Sequence, residues 1–137
     1  MKFSGKKYLI VSALAGFVVI AVAATKPPAT KRADNKFTNL KVLPKDISEK
    51  EMNKIMVDEF EDALGVSCNF CHAKQKDSEK LDYASDENPQ KENARNMMRM
   101  TLEINQKYFM VKHPLIGDSS LQITCNNCHQ GQPYPGQ

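Results

Sequence analysis

Two five-residue segments constrain this chain more than any other feature: Cys68-Asn69-Phe70-Cys71-His72 and Cys125-Asn126-Asn127-Cys128-His129. Both read C-x-x-C-H, and together they use all four cysteines and two of the three histidines. A disulfide pair gives no reason for a histidine after each pair of thiols. A zinc ribbon uses C-x-x-C twice, but the gap here is longer than usual and both histidines would stay unexplained. A thioredoxin-like motif needs a βαβ context, which is missing. Covalent haem attachment uses every one of these residues. Two thiols add across the vinyl groups of one porphyrin edge, and the adjacent imidazole binds iron from the proximal side. The spacing therefore predicts two c-type haems, with Cys68, Cys71, Cys125 and Cys128 as thioether positions and His72 and His129 as proximal ligands.

A chain of 137 residues is enough for one small domain. It has no tryptophan and only 7% aromatic residues, so a core built from side chains alone would be thin. Two porphyrins would bring the missing apolar area. The net charge of +3 is supplied by Lys2, Lys6 and Lys7, and from Thr25 onward acids and bases balance. A neutral folded part argues against a nucleic-acid partner.

Those three lysines precede an uncharged run from Tyr8 to Ala24, closing on Ala21-Val22-Ala23. Residues 1–24 thus read as an export signal, or as an uncut N-terminal membrane anchor through residues 8–24. In both cases the rest of the chain is expected outside the cytoplasm, periplasmic and either soluble or anchored to the inner membrane. Residues 25–45 hold Pro27, Pro28 and Pro44, are basic, and read as an extended linker. Residues 46–137 would form the two-haem domain. Oligomeric state is not legible.

Within that domain, Ser48 and Glu51 make a capping box ahead of Met52, Ile55, Met56, Phe60, Ala63 and Leu64 at helical spacing, with Gly65 as the stop. This predicts a helix over 48–64. Residues 73–88 read as a loop. Pro89 opens a second predicted helix to about Met110, with Ala94, Met97, Met98, Thr101, Asn105 and Tyr108 on one side. No strand pattern stands out. The expected fold is all-α: a small multihaem cytochrome of helix–turn–CxxCH units with long loops and little sheet. The acids Asp58, Glu59, Glu61 and Asp62 read as a solvated face or a docking patch. Each iron needs a second axial ligand, commonly Met or His. Met52, Met56, Met97, Met98, Met100, Met110 and His113 are candidates, although a methionine on an amphipathic face often only fills space.

The stretches NLKVLP, LGVSCNFCH, SDENPQKENARNMMRMTLEIN and ITCNNCHQG resemble the cytochrome subunit of photosynthetic reaction centres, over residues 39–135. In that family the helix of each unit commonly supplies a methionine. The resemblance implies Met56 as distal ligand for the first haem and Met97 for the second, with Met52, Met98, Met100 and His113 as rivals. The family subunit carries four haems, and this chain has motifs for two. The function so implied is that of an exported electron carrier, not an enzyme, serving redox partners at or near the membrane in a photosynthetic or respiratory chain. The competing expectation is a peroxidase-like haem enzyme or sensor with one open iron site.

Overall fold

Two helices that wind differently carry the architecture. The computed structural model describes residues 36–136, so the expected leader at 1–24 and the first part of the expected linker lie outside the described residues. The helix predicted over 48–64 is present but not uniform. α1 (Glu49–Lys54) is an ordinary α-helix that continues as a π-helix over Ile55–Asp62. Ser48 closes its start: the Glu51 N–H donates to Ser48 Oγ at 3.2 Å, and the Ser48 N–H donates to Glu51 Oε2 at 3.0 Å. Gly65 ends the helix at φ +63°, a backbone that residues with a Cβ adopt at a cost.

The π winding has a geometric reason. Met52, Met56, Phe60 and Leu64 recur every four residues. At 3.6 residues per turn, each step of four rotates the stripe by about 40°. The wider i→i+5 winding, at roughly 4.4 residues per turn, rotates it back. Residues 52, 53, 56, 57, 60 and 61 consequently line the same cavity.

α2 (Pro89–Tyr108) starts as the sequence predicts and stops two residues short of the expected end. Asn88 caps it by accepting from the Gln90 N–H at 3.0 Å, and the Asn88 side chain donates to the Phe70 carbonyl at 3.0 Å. The helix start is thereby tied to the first cysteine turn. The buried face of α2 is Arg95, Met98, Thr101 and Asn105. Tyr108, expected on that face, is exposed, and Arg95, absent from it, is buried. Arg95 is tolerated there because both terminal nitrogens of its guanidinium are engaged: Nη1 meets Asp86 Oδ1 at 2.8 Å and Glu92 Oε2 at 2.9 Å, and Nη2 donates to the Asn39 carbonyl at 3.1 Å.

The main core is small: Ile47, Ile55, Met98 and Ile116, flanked by partly buried side chains that include Phe37, Leu40, Val42 and Leu43. These last four belong to the stretch expected to be a linker. Residues 36–45 carry neither helix nor strand, yet they pack. Asn39 donates to the Ala84 carbonyl at 2.6 Å, and Lys41 pairs with Asp86 at 2.7 Å. Averaging composition over 25–45 hides four apolar residues concentrated at its end. The expected loop at 73–88 contains a minimal antiparallel hairpin, β1 (Ala73–Lys74) with β2 (Leu81–Asp82), Ala73 lying opposite Asp82. The fold among the described residues is otherwise helical, ending with the one-turn α3 (Cys125–His129).

The first helix and α3 meet through their backbones. The Gly131 N–H, just past α3, donates to the Ala63 carbonyl at 2.8 Å. A Cβ on Gly65 would sit 2.3 Å from the Gly131 carbonyl oxygen.

Two candidate cofactor sites

Both C-x-x-C-H segments wind as a single helical turn. In the first, residues Cys68–Phe70 form a 3₁₀ turn and the His72 N–H donates to the Cys68 carbonyl at 3.0 Å. In the second, α3 holds the whole motif, and Asn127 Oδ1 accepts from the Thr124 N–H at 2.8 Å. One turn puts residues three apart on one side, so each pair of thiols shares a face. All four thiols are free. The two pairs do not converge: among the described residues no three His, Cys, Asp or Glu side chains are grouped to hold one metal ion. That leaves the zinc-ribbon geometry without support.

Two cavities adjoin these turns. The first, of about 720 Å³, is lined by Met52, Met56, Cys68, Cys71 and His72, together with Tyr83, Lys91 and Arg95. The second, of about 300 Å³, is lined by Met97, Met98, Met100, Cys125, Cys128 and His129, together with Tyr134. Both volumes lie in the range of roughly 300–1,000 Å³ typical of cofactor clefts. Phe60, Cys71, Ala94 and Met98 line both. The sites are therefore separated by a partition one side chain thick.

The candidate methionines divide by position. Successive residues on a helix point about 100° apart, and α2 uses this to present different residues to the two sides. Met98 is 5% exposed and belongs to the main core, whereas Met97 is 44% exposed and lines the second cavity alone. Met100, also exposed, lines the second cavity as well. On the first helix, Met52 packs against the core while Met56 is not among the side chains that do. Met110 and His113 are exposed and line neither cavity.

The histidines carry the informative chemistry. His129 Nδ1 lies 2.8 Å from the Gln132 carbonyl oxygen. A carbonyl only accepts, so Nδ1 carries a proton, and Nε2 is the nitrogen left for a metal, as in many metal-ligating imidazoles. His72 has Nδ1 buried without a partner and sits edge-on to Tyr83, ring centres 5.0 Å apart. Burial, then the neighbouring Lys91 charge, pulls its pKa down and favours the neutral ring. Burial pushes the Cys71 thiol up, and burial with Glu59 alongside pushes Cys125 up to about 12. These thiols stay protonated. The residues present thus fit two covalently held haems: paired thiols, an imidazole beside each pair, and an apolar cleft over each.

Several participants were not visible in the sequence. Glu59 and Glu61, read there as part of a solvated acidic face, are half-buried, one beside Cys125 and the other lining the first cavity. Tyr134 lies in the Pro/Gly-rich tail, edge-on to Phe70 at 6.4 Å, so the tail closes the second cavity. Its signal was a lone aromatic between two prolines. Asn105 is wholly buried and staples α2 to the segment that enters the second motif.

Residues 6–137 match the family described as the photosynthetic reaction centre cytochrome C subunit. The chain is also similar to cytochrome c-554 of Chloroflexus aurantiacus, 39% identical over 71 residues. That match covers 52% of this chain and 15% of the relative, so the chain spans a small part of that protein's length. No solved structure matches. Among the described residues no helix is long and apolar enough to cross a membrane. The chain belongs to the reaction-centre cytochrome C subunit family, and with it to the c-type cytochromes, electron carriers that hold haem covalently.

Proposed function

We propose that this chain is an exported cytochrome with two covalent haems, each iron bound by a histidine and a methionine, passing electrons to and from partner proteins at a membrane. The observation that carries the reading is that each C-x-x-C-H turn shares one cavity with a methionine from the preceding helix. When bound, haem supplies a one-electron couple whose potential depends on axial ligand, burial and hydrogen bonding. Cys68 and Cys71 would anchor the first group and His72 would ligate it; Cys125, Cys128 and His129 would do the same for the second. Met56 and Met97 are the distal ligands of choice, because Met52 and Met98 are occupied in packing. Met100 is the rival for the second site.

The protein's own contribution is positional. The His129 bond to Gln132 fixes one imidazole, and Tyr83 braces the other. The shared wall of Phe60, Cys71, Ala94 and Met98 keeps the two groups close enough to exchange electrons within the chain. Surface charge then guides brief encounters with partners rather than tight binding.

The test uses full-length protein made in an export-competent host with haem attachment. Pyridine haemochrome should return two c-type haems per chain, low-spin in the reduced spectrum. Met56→Ala and Met97→Ala should each convert one haem to a high-spin form that binds carbon monoxide. Carbon monoxide binding by the unmodified protein would favour an open-site enzyme or sensor instead, and a colourless product would defeat both readings.

A further inference from the structure

The C-terminal end of α2 opens into a turn with an unusual display. Helix winding ends at Tyr108, and the Phe109 and Val111 N–H groups both donate to the Asn105 carbonyl, at 3.2 and 3.1 Å. Between them Met110 takes φ +57°. That left-handed position is normally filled by Gly or Asn, because a Cβ there is strained. Here it holds a methionine whose side chain is 79% exposed, beside exposed Tyr108, Phe109 and Leu115. Water offers these four side chains no compensation for the strain or the exposure.

The charges around the knuckle are of one sign. Lys107 and Lys112 flank it, His113 comes next, and no acid occurs between Glu103 and Asp118. From Thr25 onward acids and bases balance overall, so outside this turn the acids are in slight excess. Lysine ammonium groups framing exposed tyrosine, phenylalanine and methionine suit the headgroup level of an anionic bilayer, where the stems bury and the charges stay wet. A second copy of the chain fits less well. Four side chains fall far short of the roughly 800 Å² per partner of a stable interface, and a two-fold contact would bring like charges together.

We infer that the Tyr108–Met110 knuckle inserts into the surface of an anionic membrane, with Lys107 and Lys112 on lipid headgroups. The contact is independent of residues 1–24 and of the haem assignment. It would set the chain's orientation: Met97 lies eleven positions earlier on α2, about 16 Å along the helix axis from the knuckle. The second cavity would then stand no farther than about that height from the headgroups.

Hydrogen–deuterium exchange on the full-length holoprotein tests this, because it reads the knuckle separately from the N-terminal segment. Vesicles of phosphatidylcholine with phosphatidylglycerol should slow exchange in residues 106–115 about tenfold. Pure phosphatidylcholine should do much less, since two lysines strengthen anionic binding roughly thirtyfold. Lys107→Glu with Lys112→Glu, and separately Phe109→Ser with Met110→Ser, should abolish the protection while leaving the haem spectrum and melting midpoint in place. Unchanged exchange with anionic vesicles overturns the proposal. So does protection without lipid that grows with protein concentration, which would assign the surface to a second copy.

Discussion

Asn105 shows how much one side chain can organise. It is fully buried, and all its polar atoms are used: Nδ2 donates to the Thr101 and Ile123 carbonyls at 2.9 and 2.7 Å, and Oδ1 accepts from the Gln122 and Ile123 N–H groups at 2.7 and 3.1 Å. Three of those bonds hold the strand of chain that runs directly into Thr124 and Cys125. Asn105→Ala would leave the part-buried Gln122 and Ile123 amides without their acceptor. At about 1–3 kcal/mol per stranded group, partly relieved by water entry, a loss of about 2–4 kcal/mol is expected. Thermal melting of the holoprotein measures it. In the sequence Asn105 is only one position on an amphipathic face. Its partners lie seventeen and eighteen residues away, and no local pattern announces them.

At the scale of elements, the joint between the first helix and α3 carries a sharp contrast. Gly65 and Gly131 both have positive φ, +63° and +80°. A Cβ on Gly65 would press into the Gly131 carbonyl at 2.3 Å, while one on Gly131 meets nothing within 4 Å. Gly131→Ala should therefore cost only the backbone strain, about 1–2 kcal/mol. Gly65→Ala should cost distinctly more, since the backbone contact must open as well. Paired urea titrations of the two variants decide the order; equal losses would mean that the contact is not tight in solution. Gly65 was legible as a helix stop, but its second duty was not. The π winding is a similar case. The four-residue spacing of Met52, Met56, Phe60 and Leu64 was in plain view, and it is compatible with either winding until the cavity it must face is known.

For the whole molecule, the charge network around Arg95 sets the response to acid. Lys41 and then Arg95, bonded to Asp86, hold its carboxyl well below the ordinary range, and Arg95 and Arg99 do the same to Glu92. Ser48 lowers Glu51 at the first helix cap. A carboxyl depressed in the folded state adds stability that is complete above its unfolded pKa, about 4, and is lost as the pH falls toward the folded value. The urea midpoint should hold a plateau down to about pH 6.5, slip below that as His72, kept neutral in the fold, is forced to protonate, and fall further below about pH 4 as these carboxyls protonate. Asp86→Asn should lower the plateau and soften the acid decline. An Asp86→Asn variant that keeps the full decline below pH 4 would show that other groups govern acid stability.

The sequence by itself determined the pattern on which the proposed attachment rests, because C-x-x-C-H is a local demand: thiols one turn apart and an imidazole next to them. It also determined where the helices begin, through Ser48 and Pro89, since caps act within a few residues. Only the tertiary structure decided which methionine lines a cavity without packing in the core and which does both. Met97 and Met98 are neighbours with the same side chain, and their difference arises from the packing of Ile47, Ile55 and Ile116 against one side of α2. The folding of residues 36–45 onto that core and the one-side-chain wall between the sites have the same origin. Each depends on surfaces that meet only after distant segments are brought together.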